Sequence, residues 1–148
     1  MTDALTEAKL IEGLEKAGQA KQYSHCPYST FRVGCALLTQ DDQWIIGVNV
    51  ENASYGLTIC AERSAICSAV SQGHTKFKAI FVSTDVNDNP VAPCGACRQF
   101  IHEFGSTTVI CYANRHGQFK RCTINDLLPE SFSIVDLSAV PAATEHAD

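Results

Sequence analysis

The sequence predicts an α/β fold, and three observations carry that reading. Leu10, Ile11, Leu14 and Ala17 recur at helical spacing near the start of the chain. Two pairs of β-like runs, 32–38 with 44–49 and 108–113 with 118–123, are each divided by a short polar turn. A further apolar run at 79–83 stands between two segments of helical periodicity. A hairpin followed by strands alternating with helices implies a mixed sheet whose faces are covered by helices.

The first helix is expected over 6–20, with Thr6 as its cap and Glu7 in its first turn. Cys26-Pro27-Tyr28-Ser29 is an extended or turning link, because proline disfavours helix in the residue before it. The polar residues 39–43 suit an antiparallel hairpin. Residues 50–59 then deliver the chain to Cys60, where Ala61, Ala65, Ile66, Ala69 and Val70 mark a helix ending near Gly73. The strand at 79–83 leads into a loop rich in Asp, Asn and Pro at 86–93. A helix from Cys94 to about Phe104 is stopped by Gly105, and strand 108–113 turns at Asn114 and Gly117 into strand 118–123. A last short helix at 124–128 is closed by Pro129. There is no internal repeat.

At 148 residues and 45% apolar content, the chain has the size and composition of one globular domain. No apolar run is long enough for a membrane span. Asp3, Glu7, Glu12 and Glu15 fall where a signal peptide would be apolar, so a cytoplasmic protein is expected. The net charge of −5 argues against a nucleic-acid partner, since the single basic cluster, Arg115, His116, Lys120 and Arg121, flanks a turn. Eight cysteines without an export signal point away from a disulfide framework. Cys35, Cys67 and Cys111 lie in apolar runs and are expected to pack as small hydrophobes, while Cys26 and Cys122 have no assigned role.

The remaining three cysteines form a metal-binding pattern. Cys94 and Cys97 have the C-x-x-C spacing that lets two sulfurs reach one ion, and Cys60 would be the third ligand. A structural zinc site would need a fourth protein ligand. Cys67, the nearest by sequence, is seven residues past Cys60, about two helical turns or roughly 10 Å away. Three sulfurs therefore leave one tetrahedral corner for water, as in a catalytic site. Glu62 is placed to take that water's proton; its bland alternative is a first-turn acid worth a few tenths of a kcal/mol. Three thiolates outweigh the +2 of zinc; the two helix starts are expected to compensate in part, with Arg63 the best side-chain candidate and Arg98 a weaker one.

Zinc deaminases carry a His or Cys, one residue, then Glu, followed later by P-C-x-x-C. Here the pattern reads Cys60-Ala61-Glu62 and Pro93-Cys94-Gly95-Ala96-Cys97. Together with Cys26-Pro27-Tyr28-Ser29-Thr30-Phe31, Gly47-Val48-Asn49-Val50-Glu51-Asn52-Ala53 and Leu127-Leu128-Pro129-Glu130-Ser131-Phe132, it makes the chain resemble the small cytidine deaminases from about residue 10 to 132. The resemblance implies a three-layer α/β/α fold with a five-stranded mixed sheet, one domain over 1–132 and a loosely held tail at 133–148. It implies one Zn2+ per subunit on Cys60, Cys94 and Cys97, with Glu62 as the proton carrier. It further implies that Phe31, Asn49, Glu51, Tyr55, Ala61 and Phe132 contact a pyrimidine nucleoside, Asn49 and Glu51 through the sugar hydroxyl. The related blasticidin deaminases lack that Asn-x-Glu pair. A homotetramer is implied, in which Phe132 reaches a neighbouring subunit's site and Tyr55 lies near the contacts. Two rival readings are an editor of polynucleotide cytosines and a zinc-stapled interaction module without catalysis.

Overall fold

The Thr6 hydroxyl accepts the Lys9 amide at 3.3 Å and starts α1 (Glu7–Ala20), which buries Leu10, Gly13, Ala17 and Ala20 along one stripe. The computed structural model describes residues 5–134; 1–4 and 135–148, including all but the start of the expected tail, lie outside the described residues. The strands are β1 (Val33–Thr39), β2 (Trp44–Val48), β3 (Phe77–Thr84), β4 (Val109–Ala113) and β5 (Phe119–Thr123), and the later helices are α2 (Ala61–Ser71), α3 (Gly95–His102) and α4 (Ile124–Leu127).

The strands form one sheet in the order β2-β1-β3-β4-β5. β1 pairs antiparallel with β2, Ala36 facing Ile46, and antiparallel with β3, Ala36 facing Phe81. β3 and β4 are parallel, with Phe81 facing Cys111, and are joined through α3 because parallel neighbours need a crossover. β5 returns antiparallel on β4 after Gly117, which adopts φ +80. Both hairpins and the mixed sheet therefore match the sequence expectation.

Alternation along β1 divides the core. Ala36 and Leu38 meet Leu10 and Ala17 of α1, with Phe81 and Cys111, on one face. Cys35 and Leu37 meet Ala61, Ala65, Ile66 and Ala69 of α2, Ile101 of α3 and Ile124 of α4 on the other. The result is three layers, α/β/α. Two glycines let the layers approach closely. A β-carbon on Gly47 would overlap the backbone oxygen of Ala61 and the backbone nitrogen of Ala65; one on Gly34 would overlap the Ala17 oxygen and lie 2.9 Å from the Lys21 nitrogen.

Several boundaries differ from the sequence reading, for local reasons. β3 starts at Phe77 because a register shift in β1 pairs Phe77 with Thr39. α3 ends at His102, and Gly105 at φ +137 turns the chain away. α4 is a single turn held by a capping box, in which Thr123 and Asp126 satisfy each other's amides. Cys67 is exposed, not packed: α2 turns its 61, 62, 65, 66 and 69 positions inward, which leaves Cys67 and Val70 on the outer face. Among the described residues no helix is long and apolar enough to cross a membrane.

Candidate active site

Two helix starts face each other, and cysteines occupy both. Cys60 is the N-cap of α2 and Cys94 the N-cap of α3, each extended (φ −70, ψ 155 and φ −65, ψ 165), and neither side chain caps its own helix. Cys97 lies in the first turn of α3 and is fully buried. All three Sγ atoms fall within 4.8 Å of one another, with Cys60 and Cys94 3.8 Å apart. Sulfurs bound tetrahedrally at about 2.3 Å stand about 3.8 Å apart, so the donor set fits zinc. The helix termini add partial positive charge that favours thiolate.

Without metal, the neighbouring Cys97, then Arg63 and Cys94, draw the Cys60 pKa down to about 5 against the effect of burial; Cys60 and burial push Cys97 up. Glu62, 4% exposed, is pushed up to about 7 by burial first, opposed by a backbone bond and reinforced by the charge of Cys60. Its Oε2 is buried with no hydrogen-bond partner, an atom waiting for a donor. Arg63 donates from Nη2 to Cys60 Sγ at 3.4 Å, one sulfur of the two it is expected to bridge, and its Nε is buried and unpartnered. Arg98 does not serve the sulfurs. It donates to the Pro93 carbonyl at 2.7 Å and to the Leu127 carbonyl at 2.9 Å, tying the Cys94 loop to the end of α4.

Cys60, Glu62 and Cys94 open into a cavity of about 280 Å³ that Phe31, Asn49 and Glu51 also line. Asn49 uses its amide to clamp the wall: Oδ1 accepts the Val33 amide at 2.9 Å and Nδ2 donates to the Phe31 carbonyl at 2.8 Å. Glu51 lies past the end of β2 and its carboxylate accepts the Tyr28 amide at 2.9 Å, the Ser29 amide at 3.2 Å and the Ser29 hydroxyl. The Ser29 hydroxyl leads in holding it ionised below the ordinary glutamate range. Ala61 is fully buried against Gly47 and does not line the cavity. Tyr55 stacks edge-on to Tyr28 at 5.9 Å, and the Phe132 carbonyl accepts Gln99 Nε2 at 3.0 Å; neither ring lines the cavity. Ser29, Thr58, Val82, Thr84, Val91 and Ala92 complete the walls. Ser29 belongs to the same stretch as Phe31 and could have been noted; Val82 and Thr84 carry no sequence signal beyond that of a buried strand.

Residues 8–113 match the cytidine and deoxycytidylate deaminase zinc-binding region. The chain belongs to this family. Among cytidine deaminase relatives, a protein of Dictyostelium discoideum named "probable cytidine deaminase" is 50% identical over 135 residues, covering 91% of each chain. The cytidine deaminase of Halalkalibacterium halodurans is 44% identical over 126 residues, 84% of this chain and 95% of that one. The crystal structure of the Burkholderia pseudomallei cytidine deaminase superposes with a TM-score of 0.80 at 43% identity, covering 82% of this chain and 98% of the other. That of Mycobacterium tuberculosis gives 0.73 at 35% identity, covering 84% and 97%. The cytidine deaminase fold is thereby that of this chain, and the metal its family's domain binds is the one its three sulfurs suit.

Proposed function

We propose that the chain is a cytidine deaminase, converting cytidine and deoxycytidine with water to uridine and deoxyuridine and releasing ammonia. The observation that carries this is the buried, unpartnered Glu62 carboxylate oxygen beside three converging sulfurs at the floor of a nucleoside-sized cavity. Cys60, Cys94 and Cys97 would hold one Zn2+. Bound there, zinc makes a water nucleophilic near neutral pH. Glu62 takes that water's proton and delivers it to the ring nitrogen as the oxygen adds to C4. It would then take the proton left on the added oxygen and pass it to the amine, so that C4=O forms, the C4–N bond breaks and ammonia leaves. In the metal-free protein burial raises the Glu62 pKa, the direction that suits a group that both takes and gives a proton near neutral pH.

Phe31 flanks the base, and Asn49 and Glu51 receive the sugar hydroxyl. Each of these two keeps capacity beyond its wall bonds for that hydroxyl, the second Nδ2 hydrogen of Asn49 and a remaining lone pair on Glu51 Oε1. Adding cytidine to zinc-loaded protein and following ultraviolet absorbance tests the reading. Substrate loss with stoichiometric ammonia supports it, and zinc-replete protein that leaves both nucleosides unchanged refutes it.

The same reading places the enzyme in the cytoplasm, in pyrimidine salvage, acting on free nucleosides and not on nucleic acid. It also makes it a homotetramer with shared sites. Tyr55 and Phe132 are 73% and 58% exposed, and Leu57, Ile59 and Val70 are exposed near α2, surface that a second copy would cover. Activity per chain should therefore fall on dilution into a monomeric state, and fully active monomers in sedimentation would refute the shared-site arrangement.

A further inference from the structure

Asp85 lies one residue past the end of β3, whose Val82 and Thr84 line the cavity. Its carboxylate gathers donors from two other parts of the chain. Arg32 grips it twice, Nε to Oδ2 at 2.8 Å and Nη2 to Oδ1 at 3.1 Å. Lys21, the C-cap of α1, donates from Nζ to Oδ1 at 3.2 Å and to the Thr84 carbonyl at 3.1 Å. The Lys21 and Asp85 side chains are 12% and 26% exposed, whereas Arg32 is 51% exposed, so the Arg32 arm holds through its two-pronged geometry and not through burial. Burial alone would raise the Asp85 pKa; the Arg32 and Lys21 bonds together overcome it and hold the carboxyl below the usual aspartate range.

What these bonds restrain is the wall that Ser29 and Phe31 build. Between those two residues Thr30 stands at φ +57, a left-handed conformation that a β-branched residue rarely takes. Such a segment relaxes unless its surroundings hold it. Glu51 and Asn49 hold it from within the cavity. Arg32, the residue after Phe31, is its outer tether, and neither Arg32 nor Asp85 lines the cavity.

We infer that Asp85 is a positioning residue for nucleoside binding: by anchoring Arg32 beside the end of β3 it fixes the distance between the Ser29 and Phe31 wall and the Val82 and Thr84 wall. Its kinetic consequence rests on the cytidine deaminase reading; its structural consequence does not. The test uses zinc-loaded Asp85→Asn and Arg32→Gln proteins, singly and combined. In each single variant the KM for cytidine should rise about 3- to 10-fold while kcat stays within about twofold and zinc per chain is unchanged, the signature of lost ground-state positioning. The double variant should be no worse than the more damaged single one, since both remove the same contact. Hydrogen exchange at the Tyr28, Ser29 and Phe31 amides should quicken while the α2 and α3 amides keep their protection. Unchanged KM and unchanged exchange overturn the inference, and so does a parallel loss of kcat and zinc, which would mean general structural damage. If Asp85→Asn does not fold, the half-exposed Arg32→Gln carries the test by itself. Faster exchange in the variants of a parent that itself leaves cytidine unchanged would uphold the tether and sink the substrate reading.

Discussion

Gly47→Ala tests whether the close approach of β2 to α2 places the reacting groups. The new β-carbon would meet the Ala61 oxygen and the Ala65 nitrogen, backbone atoms that cannot rotate aside, and would lie 2.7 Å from Ala65 Cβ. Ordinary contact begins near 3.4 Å, so the Ala65 approach alone requires the helix to retreat by about 0.7 Å. Overpacking of this kind costs about 1–3 kcal/mol, partly offset by about 0.4–1 kcal/mol because alanine restricts the unfolded chain. At about 2–4 °C per kcal/mol for a domain of this size, the melting temperature should fall by up to about 10 °C. Misplacement by about 1 Å can cost a hundredfold in rate, so kcat should drop about 10- to 100-fold and zinc should be retained less tightly. Gly34→Ala is the control. Its overlap with Ala17 is on the opposite face of the sheet, against α1, so it should lower the melting temperature comparably and leave zinc content and kcat nearly unchanged. Calorimetry, zinc analysis and initial rates on both variants decide the matter. Equal zinc loss in the two would show that retention follows global stability, and the positioning argument would be wrong.

Other consequences are separable. Glu62→Gln should keep zinc and nucleoside binding while kcat falls about 10²- to 10⁴-fold; equal zinc loss in Glu62→Gln and Cys94→Ala would make Glu62 a ligand or a structural residue. In metal-free protein the Glu62 pKa is raised from 4.5 to about 7, so the folded state keeps a proton that the unfolded state has lost, and stability falls as pH rises through that window. Metal-free Glu62→Gln should then be more stable than its parent by about 3 kcal/mol at pH 8, an advantage absent below pH 4, and urea unfolding at both pH values checks it. Arg63→Gln should fold yet weaken zinc retention about 10- to 100-fold or move the pH–rate curve upward, with Arg63→Lys restoring part; unchanged zinc affinity and pH profile would leave the helix termini as the whole source of compensation. Thr123→Ala removes the α4 cap and should lower stability by about 1 kcal/mol in denaturant titration, with zinc content unchanged.

Much of this was legible in the sequence because the relevant signals are local. A cap, a C-x-x-C spacing, an apolar period or a glycine at positive φ is a property of a few adjacent residues, and Thr6, Cys94 with Cys97, β1 and Gly117 all behave as read. The misread residues are those whose environment is set by a partner distant in sequence. Cys67 sits among apolar neighbours in the chain, yet a rotation of about 100° per residue carries it from the Ile66 face to solvent. Arg98 adjoins a metal-ligand position, but Pro93 and Leu127 present carbonyls within its reach and take its bonds. The cavity walls from β3, and the meeting of Lys21, Arg32 and Asp85, depend on how helix, loop and strand end assemble, which no spacing records.

The division of roles between the two helix starts has a mechanical consequence. Cys60, Glu62 and Arg63 occupy the cap and first turn of α2, so one rigid element carries one of the three converging sulfurs, the buried carboxylate proposed as proton carrier and a guanidinium bonded to that sulfur. α3 carries two ligands and no acid in its first turn. Zinc at +2 with three thiolates leaves −1, and each helix terminus offers about half a positive charge, so the two starts nearly neutralise the cluster before Arg63 is counted. A shift of α3 therefore weakens metal binding but leaves the relation of Glu62 to Cys60 intact. A shift of α2 moves acid and ligand together and preserves their mutual distance while displacing both from the Asn49 and Glu51 side of the cavity. Chemistry and substrate binding are thus set by different contacts: the α2 turn fixes the first, and the packing of α2 on Gly47 sets its alignment with the second.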